Sequence, residues 1–232
     1  MDRQKQIVEM FDNIAPSYDL ANRVLSFGVD VKWRKEGCIK TLERLGKSNG
    51  LKVADLACGT GDMLIHWQKY LQEDCELLGI DPSSAMLEVA KKKVYNASFI
   101  QAQAQEIPLE NESVDIVSIA YGLRNVCGYQ EALKEFHRIL KKAGVLLILE
   151  FTHNPSPTLL QKGAKFYTQK ILPLIGGLIS KNLKAYQYLP HSIEAFASTQ
   201  ELKDELSKVG FSNVWSKSYS AKLSTLFLAT KE

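Results

Sequence analysis

The chain has 232 residues, 45% hydrophobic and 24% charged, a balance that fits a globular domain and excludes disordered, collagen-like and coiled-coil chains. Lys+Arg exceeds Asp+Glu by 29 − 26 = 3, too small a surplus to mark a dedicated nucleic-acid binder. The four cysteines (Cys38, Cys58, Cys75, Cys127) form no Cys-x-x-Cys pair, so no metal or redox site is expected and the thiols read as reduced, in a cytoplasmic compartment. The start, Met1-Asp2-Arg3-Gln4-Lys5, is polar and no apolar signal core follows.

In chain order, a helical prologue over residues 1–48 comes first. Residues 51–57 read as a buried strand, 62–71 as a helix, 76–80 as a strand and 83–94 as a helix. Strands at 98–102 and Val114–Ala120, a helix at 129–141 and a strand at 145–151 continue the alternation. Short apolar runs separated by helices predict a doubly wound α/β fold with a parallel sheet. Residues 155–197 read as an irregular helical insertion, interrupted by Pro173, Gly176, Gly177 and Pro190. A helix at Thr199–Val209 is capped by Ser198 or Thr199 and ends near Gly210. Residues 211–220 and 222–230 then form two strands whose short connection requires an antiparallel pair. The longest apolar run, residues 171–179, is far short of the roughly 20 residues of a spanning helix.

The most informative segment is Val53-Ala54-Asp55-Leu56-Ala57-Cys58-Gly59-Thr60-Gly61-Asp62. A strand enters a glycine turn and then a helix, letting a ligand approach the backbone closely. Asp81, at the tip of the second strand, is placed to accept hydrogen bonds from ribose hydroxyls. A dinucleotide would need Gly or Ala where the chain has Leu64, and its phosphates would meet Asp62. Asp55 adds a second negative charge. A cofactor without phosphate, carrying an ammonium and a sulfonium, suits these charges: S-adenosylmethionine. Asp62 is also a candidate helix cap. The segment Gln101-Ala102-Gln103-Ala104-Gln105-Glu106 follows the third strand and can offer a side-chain amide and backbone groups to an adenine; Ala120, Arg124 and Asn125 follow the fourth.

Asp55-Leu-Ala-Cys-Gly-Thr-Gly-Asp62 with Asp81 resembles motif I and the acidic loop of class I SAM-dependent methyltransferases. Phe11-Asp12-Asn13-Ile14-Ala15-Pro16-Ser17-Tyr18-Asp19, Leu25-Ser26-Phe27-Gly28, Tyr121-Gly122-Leu123-Arg124-Asn125-Val126, Leu149-Glu150-Phe151 and Tyr186-Gln187-Tyr188-Leu189-Pro190 narrow the likeness. Together they resemble the ubiquinone/menaquinone biosynthesis C-methyltransferases (the UbiE/MenG family), from about Ile7 to Lys231.

The resemblance implies a single Rossmann-like domain over residues 1–232, with a seven-stranded sheet, an antiparallel last strand and a helical insertion before the C-terminal hairpin. Residues 1–48 would form a lid and 155–197 would cover the substrate site. The implied reaction moves a methyl from S-adenosylmethionine to a ring carbon of a polyprenylated quinol. Demethylmenaquinol is the expected acceptor; the benzoquinol precursor of ubiquinone and other small acceptors are the alternatives. Asp55, Gly59, Thr60, Gly61, Asp81, Gln103, Ala104 and Ala120 are the expected cofactor contacts. Arg124 is expected to stabilise a phenolate and Asn125 to orient the hydroxyl. Tyr18, Tyr186, His153 or a water would take the proton. The family often has Asn, an acid and Ser where this chain has Gln103, Gln105 and Ala120.

A prenylated acceptor implies peripheral contact with the inner face of the membrane. Leu159, Leu160, Phe166, Ile171, Leu172, Leu174, Ile175, Leu178 and Ile179 would supply apolar area, and Lys162, Lys165, Lys170, Lys181 and Lys184 would sit at anionic headgroups. A homodimer is left open. RNA methylation fits poorly, since no basic stripe interleaved with aromatics is evident.

Overall fold

The computed structural model describes residues 3–154, 158, 161, 163, 166–180 and 182–232. The prologue folds as α1 (Arg3–Ile14), a 3-10 turn (Ala15–Ser17), α2 (Tyr18–Leu25) and α3 (Val29–Leu45). The alternating core follows: β1 (Lys52–Leu56), α4 (Asp62–Tyr70), β2 (Glu76–Asp81), α5 (Ser84–Lys93), β3 (Ser98–Gln101), β4 (Val114–Ala120), α6 (Tyr129–Ile139) and β5 (Leu140–Phe151). The insertion holds a π-helical turn (Tyr167–Ile171), α7 (Leu172–Ser180) and α8 (Leu183–Glu194). α9 (Thr199–Val209), β6 (Phe211–Tyr219) and β7 (Ser224–Lys231) complete the chain.

The seven strands lie in the order β3-β2-β1-β4-β5-β7-β6. β1 to β5 pair in parallel, and β7 runs antiparallel to both β5 and β6. This is the expected sheet. Its strands are apolar runs because both faces are covered. In β5, Leu146 and Ile148 face a core with Phe136, Leu202 and Leu206, while Val145, Leu147 and Leu149 face a core with Cys38, Leu64 and Trp67. Full burial of a side chain such as Phe136 contributes about 1.5–3 kcal/mol. The strand order reverses between β1 and β4, and such a switch point opens a crevice at the carboxyl ends of those strands.

Two regions depart from expectation. α6 stops at Ile139 and β5 begins at Leu140 rather than at 145. Leu140 already pairs with Val114, and the register then shifts before Val145 meets Ile116. Ala143 takes a positive φ of 61° within this bulge, so the two lysines there belong to a bent strand rather than a helix end. The expected interruptions at Pro173, Gly176, Gly177 and Pro190 also fail to occur, since α7 runs through the first three and α8 through Pro190. Tyr186 and Ile193, both buried on that helix, hold it by packing. The Ser198 cap is as expected: its side chain accepts from the Glu201 backbone while the Glu201 carboxylate accepts from the Ser198 backbone. Such a capping box contributes about 1 kcal/mol.

A third apolar cluster joins the prologue to the insertion. Ile14, Ala21 and Leu25 pack with Leu172, Ala185 and Tyr186. Gly176 permits this, because a Cβ there would lie 2.2 Å from the Tyr186 ring. Among the described residues no helix is long and apolar enough to cross a membrane. No group of three or more His, Cys, Asp or Glu among them is placed to hold a metal ion. The expected membrane-facing Leu159, Leu160, Lys162, Lys165 and Lys181, and the side chains of Ile179 and Lys184, lie outside the described residues.

Candidate active site

The turn after β1 is built on unusual backbone. Ala57, Gly59 and Gly61 all take positive φ, at 46°, 54° and 83°. Gly61 is doubly constrained, since a Cβ would come within 2.9 Å of Val94 Cγ2. Tyr121, just past β4, also has a positive φ of 62°. Positive φ at two non-glycine residues flanking one crevice is the kind of local strain that collects at ligand sites.

Asp81 ties this turn to the tip of β2. Its Oδ2 accepts from the Gly59 backbone N–H at 2.8 Å and its Oδ1 from Ser83 N–H at 2.8 Å. Burial nonetheless pushes its carboxyl up to about 6, against the pull of those two donors and with a push from Asp12. Asp12 comes from α1 and accepts from Ser83 Oγ at 2.5 Å. Gln4, also on α1, accepts from Cys127 N–H at 2.8 Å and donates to the Asn125 carbonyl at 3.4 Å. These bonds hold α1 across the crevice. The cleft beneath measures about 70 Å³.

Of the expected cofactor contacts, Gly59, Asp81, Gln103, Ala104 and Ala120 line this cleft. Asp55, Thr60 and Gly61 do not, and shape it from behind. Asp55 is buried in β1; its Oδ1 accepts from Ser118 Oγ at 2.7 Å, and its Oδ2 has no partner. Burial lifts this carboxyl to about 7, opposed by the Ser118 hydrogen bond and the Arg34 charge. Thr60 donates to Asp19 at 2.5 Å, fastening α2 to the turn. Asp62 is not a cap: Gly61 holds that position without a side-chain bond. Instead Asp62 pairs with Lys93 at 2.9 Å and Arg23 at 3.3 Å. Burial works against its charge, but Arg34, Lys93 and Arg23 hold the carboxyl below its usual range, so it stays negative where phosphates would lie.

A second space of about 400 Å³ adjoins the first. Phe11, Tyr18 and Tyr121 line both. Its wall is largely apolar, drawn from α1, α2, α3, β5 and the insertion, with Met10, Leu25, Trp33, Leu172, Leu189 and Ile193 among its residues. Arg124 lies in this wall. Its Nη1 donates to Glu150 at 2.7 Å and to the Tyr121 carbonyl at 2.5 Å, and its Nε to Ser192 at 3.3 Å. Glu150 is fully buried, and the Arg124 guanidinium lies 5.3 Å from the Phe151 ring centre. Tyr18 and Tyr186 also face this space, and burial raises both phenols, so they act as neutral hydroxyls.

Arg124 and Asn125 were expected to work together, but the 3-10 turn Leu123–Asn125 sends them apart. Arg124 lines the large cavity and Asn125 lines the small cleft, where its Oδ1 is buried without a donor. His153 is not among the residues lining the large cavity; it bridges to Ser198. The sequence reading missed Gln4, Asp12 and Arg34. Arg34 lines the large cavity, and its pairing with Asp30 four residues earlier looks in sequence like an ordinary exposed helical pair.

The crevice fits the cofactor expected from sequence. Asn125 Oδ1, buried in the cleft without a donor, and the Asp81 carboxylate at its edge offer acceptors to the hydroxyl and amino donors of such a cofactor. Sheet order, glycine turn and acidic β2 tip together define a class I SAM-dependent methyltransferase. The fold matches a crystal structure of a SAM-dependent methyltransferase from Thermotoga maritima at a TM-score of 0.65 and 19% identity, covering 97% of this chain and all of the other.

The model of the ubiE/COQ5 methyltransferase family matches residues 1–231, and the chain belongs to that family. A Campylobacter jejuni relative named ubiquinone/menaquinone biosynthesis C-methyltransferase UbiE is 50% identical over the full length of both chains. Demethylmenaquinone methyltransferases from Thermus thermophilus and Thermotoga maritima are 40% and 37% identical, over 88% and 90% of this chain and 91% and 89% of theirs.

Proposed function

We propose that the enzyme methylates a ring carbon of a polyprenylated quinol, with demethylmenaquinol as its acceptor. The observation that carries this is the 400 Å³ apolar cavity with a buried guanidinium in its wall, meeting the cofactor cleft at Tyr18 and Tyr121. An electron-rich ring with ionisable hydroxyls and a greasy tail suits such a space, and the names of the relatives point the same way.

S-adenosylmethionine would supply an electrophilic methyl: the ring carbon would bond to it as the S–CH3 bond breaks and S-adenosylhomocysteine leaves, and the proton on that carbon would then be lost to restore the aromatic ring. Asp81 would take the ribose hydroxyls, the backbone at Gly59 would let the cofactor approach closely, and Gln103, Ala104 and Ala120, which line the same cleft, would border its adenine and methionine ends. Arg124, fixed by Glu150, Ser192 and the Tyr121 carbonyl, stabilises the phenolate oxygen beside the reacting carbon. It does not serve as the base, because a guanidinium keeps its proton. Tyr18, held neutral, relays the hydroxyl proton or orients a water that takes it. Asn125 works on the cofactor side. The aligned geometry of ring carbon and methyl supplies most of the rate gain.

Residues 1–48 act as a lid. Gln4 and Asp12 hold α1 across the cleft, so that helix covers the cofactor in the bound state. The tail leaves past Phe27 and Tyr167, whose rings lie 6.2 Å apart at the cavity edge. Leu20, Val24, Phe27, Phe166, Leu174 and Leu178 are exposed on α2, the turn after it and the insertion, and are the apolar residues that would meet the cytoplasmic membrane surface peripherally.

The test is turnover with methyl-labelled S-adenosylmethionine, offering reduced demethylmenaquinol and a demethylated benzoquinol side by side. Label in the naphthoquinol supports the proposal; label in both extends it to ubiquinone synthesis. Label in neither, with the cofactor still bound, overturns the acceptor.

A further inference from the structure

Arg34 is a buried cation that the reaction as described does not use. It sits on α3 in the wall of the large cavity, only 6% exposed. A charge so placed is costly unless something repays its desolvation. Asp30, the one carboxylate among the described residues that pairs with it directly, repays only part; Asp62 and Asp55 feel its charge from further off. The Asp30 carboxylate also accepts two bonds from Arg23, each at 3.2 Å, and one from Ser26 Oγ at 2.6 Å. One carboxylate thus serves two guanidiniums, and Arg34 Nε is buried with no acceptor at all. Arg124, by contrast, has Glu150 as a carboxylate partner of its own.

The two cations are arranged about one aromatic pair. The Tyr121 and Phe151 rings lie 4.7 Å apart. The Arg34 guanidinium lies 5.3 Å from the Tyr121 centre, and that of Arg124 lies 5.3 Å from the Phe151 centre. Both charges act on the Tyr18 hydroxyl, which lies where cavity and cleft meet. A para-dihydroxy ring has two oxygens on opposite edges, and the cavity has two guanidiniums to meet them.

We propose that Arg34 is a second acceptor-binding residue, donating to the quinol oxygen across the ring from the one Arg124 stabilises. This rests on the quinol reading above. Arg124 belongs to the loop that borders the cofactor cleft, so it faces the oxygen next to the reacting carbon. Arg34 comes from α3 and takes the far oxygen, which is meta to that carbon and gives it no activation by resonance. Arg34 is therefore a positioning contact: it fixes which ring edge faces the methyl.

The experiment compares wild type with Arg34→Lys, which keeps a cation beside Asp30, and with Arg34→Gln. Each is assayed on the dihydroxy acceptor and on an analogue whose far hydroxyl is replaced by hydrogen. S-adenosylmethionine affinity and thermal melting are measured on the same samples. Losing a charged hydrogen bond predicts a fall of about 10- to 100-fold in kcat/KM on the dihydroxy acceptor for both variants. On the analogue the variants should match wild type, with cofactor affinity unchanged. Equal losses on both acceptors, or a loss explained by cofactor affinity or melting alone, would make Arg34 purely structural and overturn the proposal. If wild type methylates neither acceptor, the quinol reading fails first and this assignment falls with it.

Discussion

The small cleft and the large cavity share Phe11, Tyr18 and Tyr121 but are made differently. The cleft is made largely of backbone: three positive-φ residues in one turn, and an aspartate whose two oxygens each hold an amide. The cavity is made of side chains drawn from the prologue, the ends of β4 and β5, the insertion and the β6–β7 turn. A site made by one turn tolerates little change in its few residues but needs no distant partners. A site assembled from five regions depends on buried ion pairs to hold it, here Arg124 with Glu150 and Arg34 with Asp30.

The largest effect expected from breaking one side of this comparison comes from Glu150→Ala. It strands Arg124 as a buried, unpaired charge, at a cost of about 3–5 kcal/mol. Chemical denaturation should show that loss; an unaltered midpoint would mean that the pair holds little. Next comes Asp81→Ala, which acts on the cleft. Removing a charged acceptor should weaken S-adenosylmethionine binding by about 10- to 100-fold by calorimetry, leaving the acceptor KM at saturating cofactor unchanged.

The pH dependence should separate the two spaces without mutation. The free enzyme's Asp81 titrates near 6 because it is buried. Ribose hydroxyls donate to the carboxylate form, so binding lowers that value and releases a proton. Cofactor affinity should therefore rise with pH through about 6, weakening by up to about tenfold for each unit below it, and Asp81→Ala should flatten the profile. The smallest effect belongs to a control remote from both spaces: Ser198→Ala should cost about 1 kcal/mol in melting experiments, with kcat and cofactor affinity unmoved.

The same contrast explains what the sequence reveals. The cleft is made of short local patterns at strand ends, so the glycine turn with Gly59 and the acidic β2 tip at Asp81 were legible from the residues. So were the parallel sheet and the antiparallel terminal hairpin. Gln103, Ala104 and Ala120 came from the family resemblance, and they do line the cleft. The cavity wall was much less legible. Arg34 with Asp30 has the spacing of any exposed helical ion pair, and only the fold buries it. Gln4 reaches a loop more than a hundred residues away, which no local pattern encodes. Arg124 and Asn125 are neighbours in sequence, yet a single 3-10 turn assigns them to different spaces. β5 starts early because a bulge lets Leu140 join the sheet, a tertiary pairing that the lysines of that segment disguise.

The central claim is that cofactor binding and acceptor activation are separate jobs done by separate walls. Arg124→Lys tests it most directly, since lysine keeps a positive charge beside Glu150 but loses the forked donor. Its affinity for S-adenosylmethionine by calorimetry and its kcat on demethylmenaquinol should be measured on one preparation. The account predicts unchanged affinity with turnover down by about a hundredfold or more. Affinity and turnover falling together would place Arg124 in the cofactor site and contradict the division.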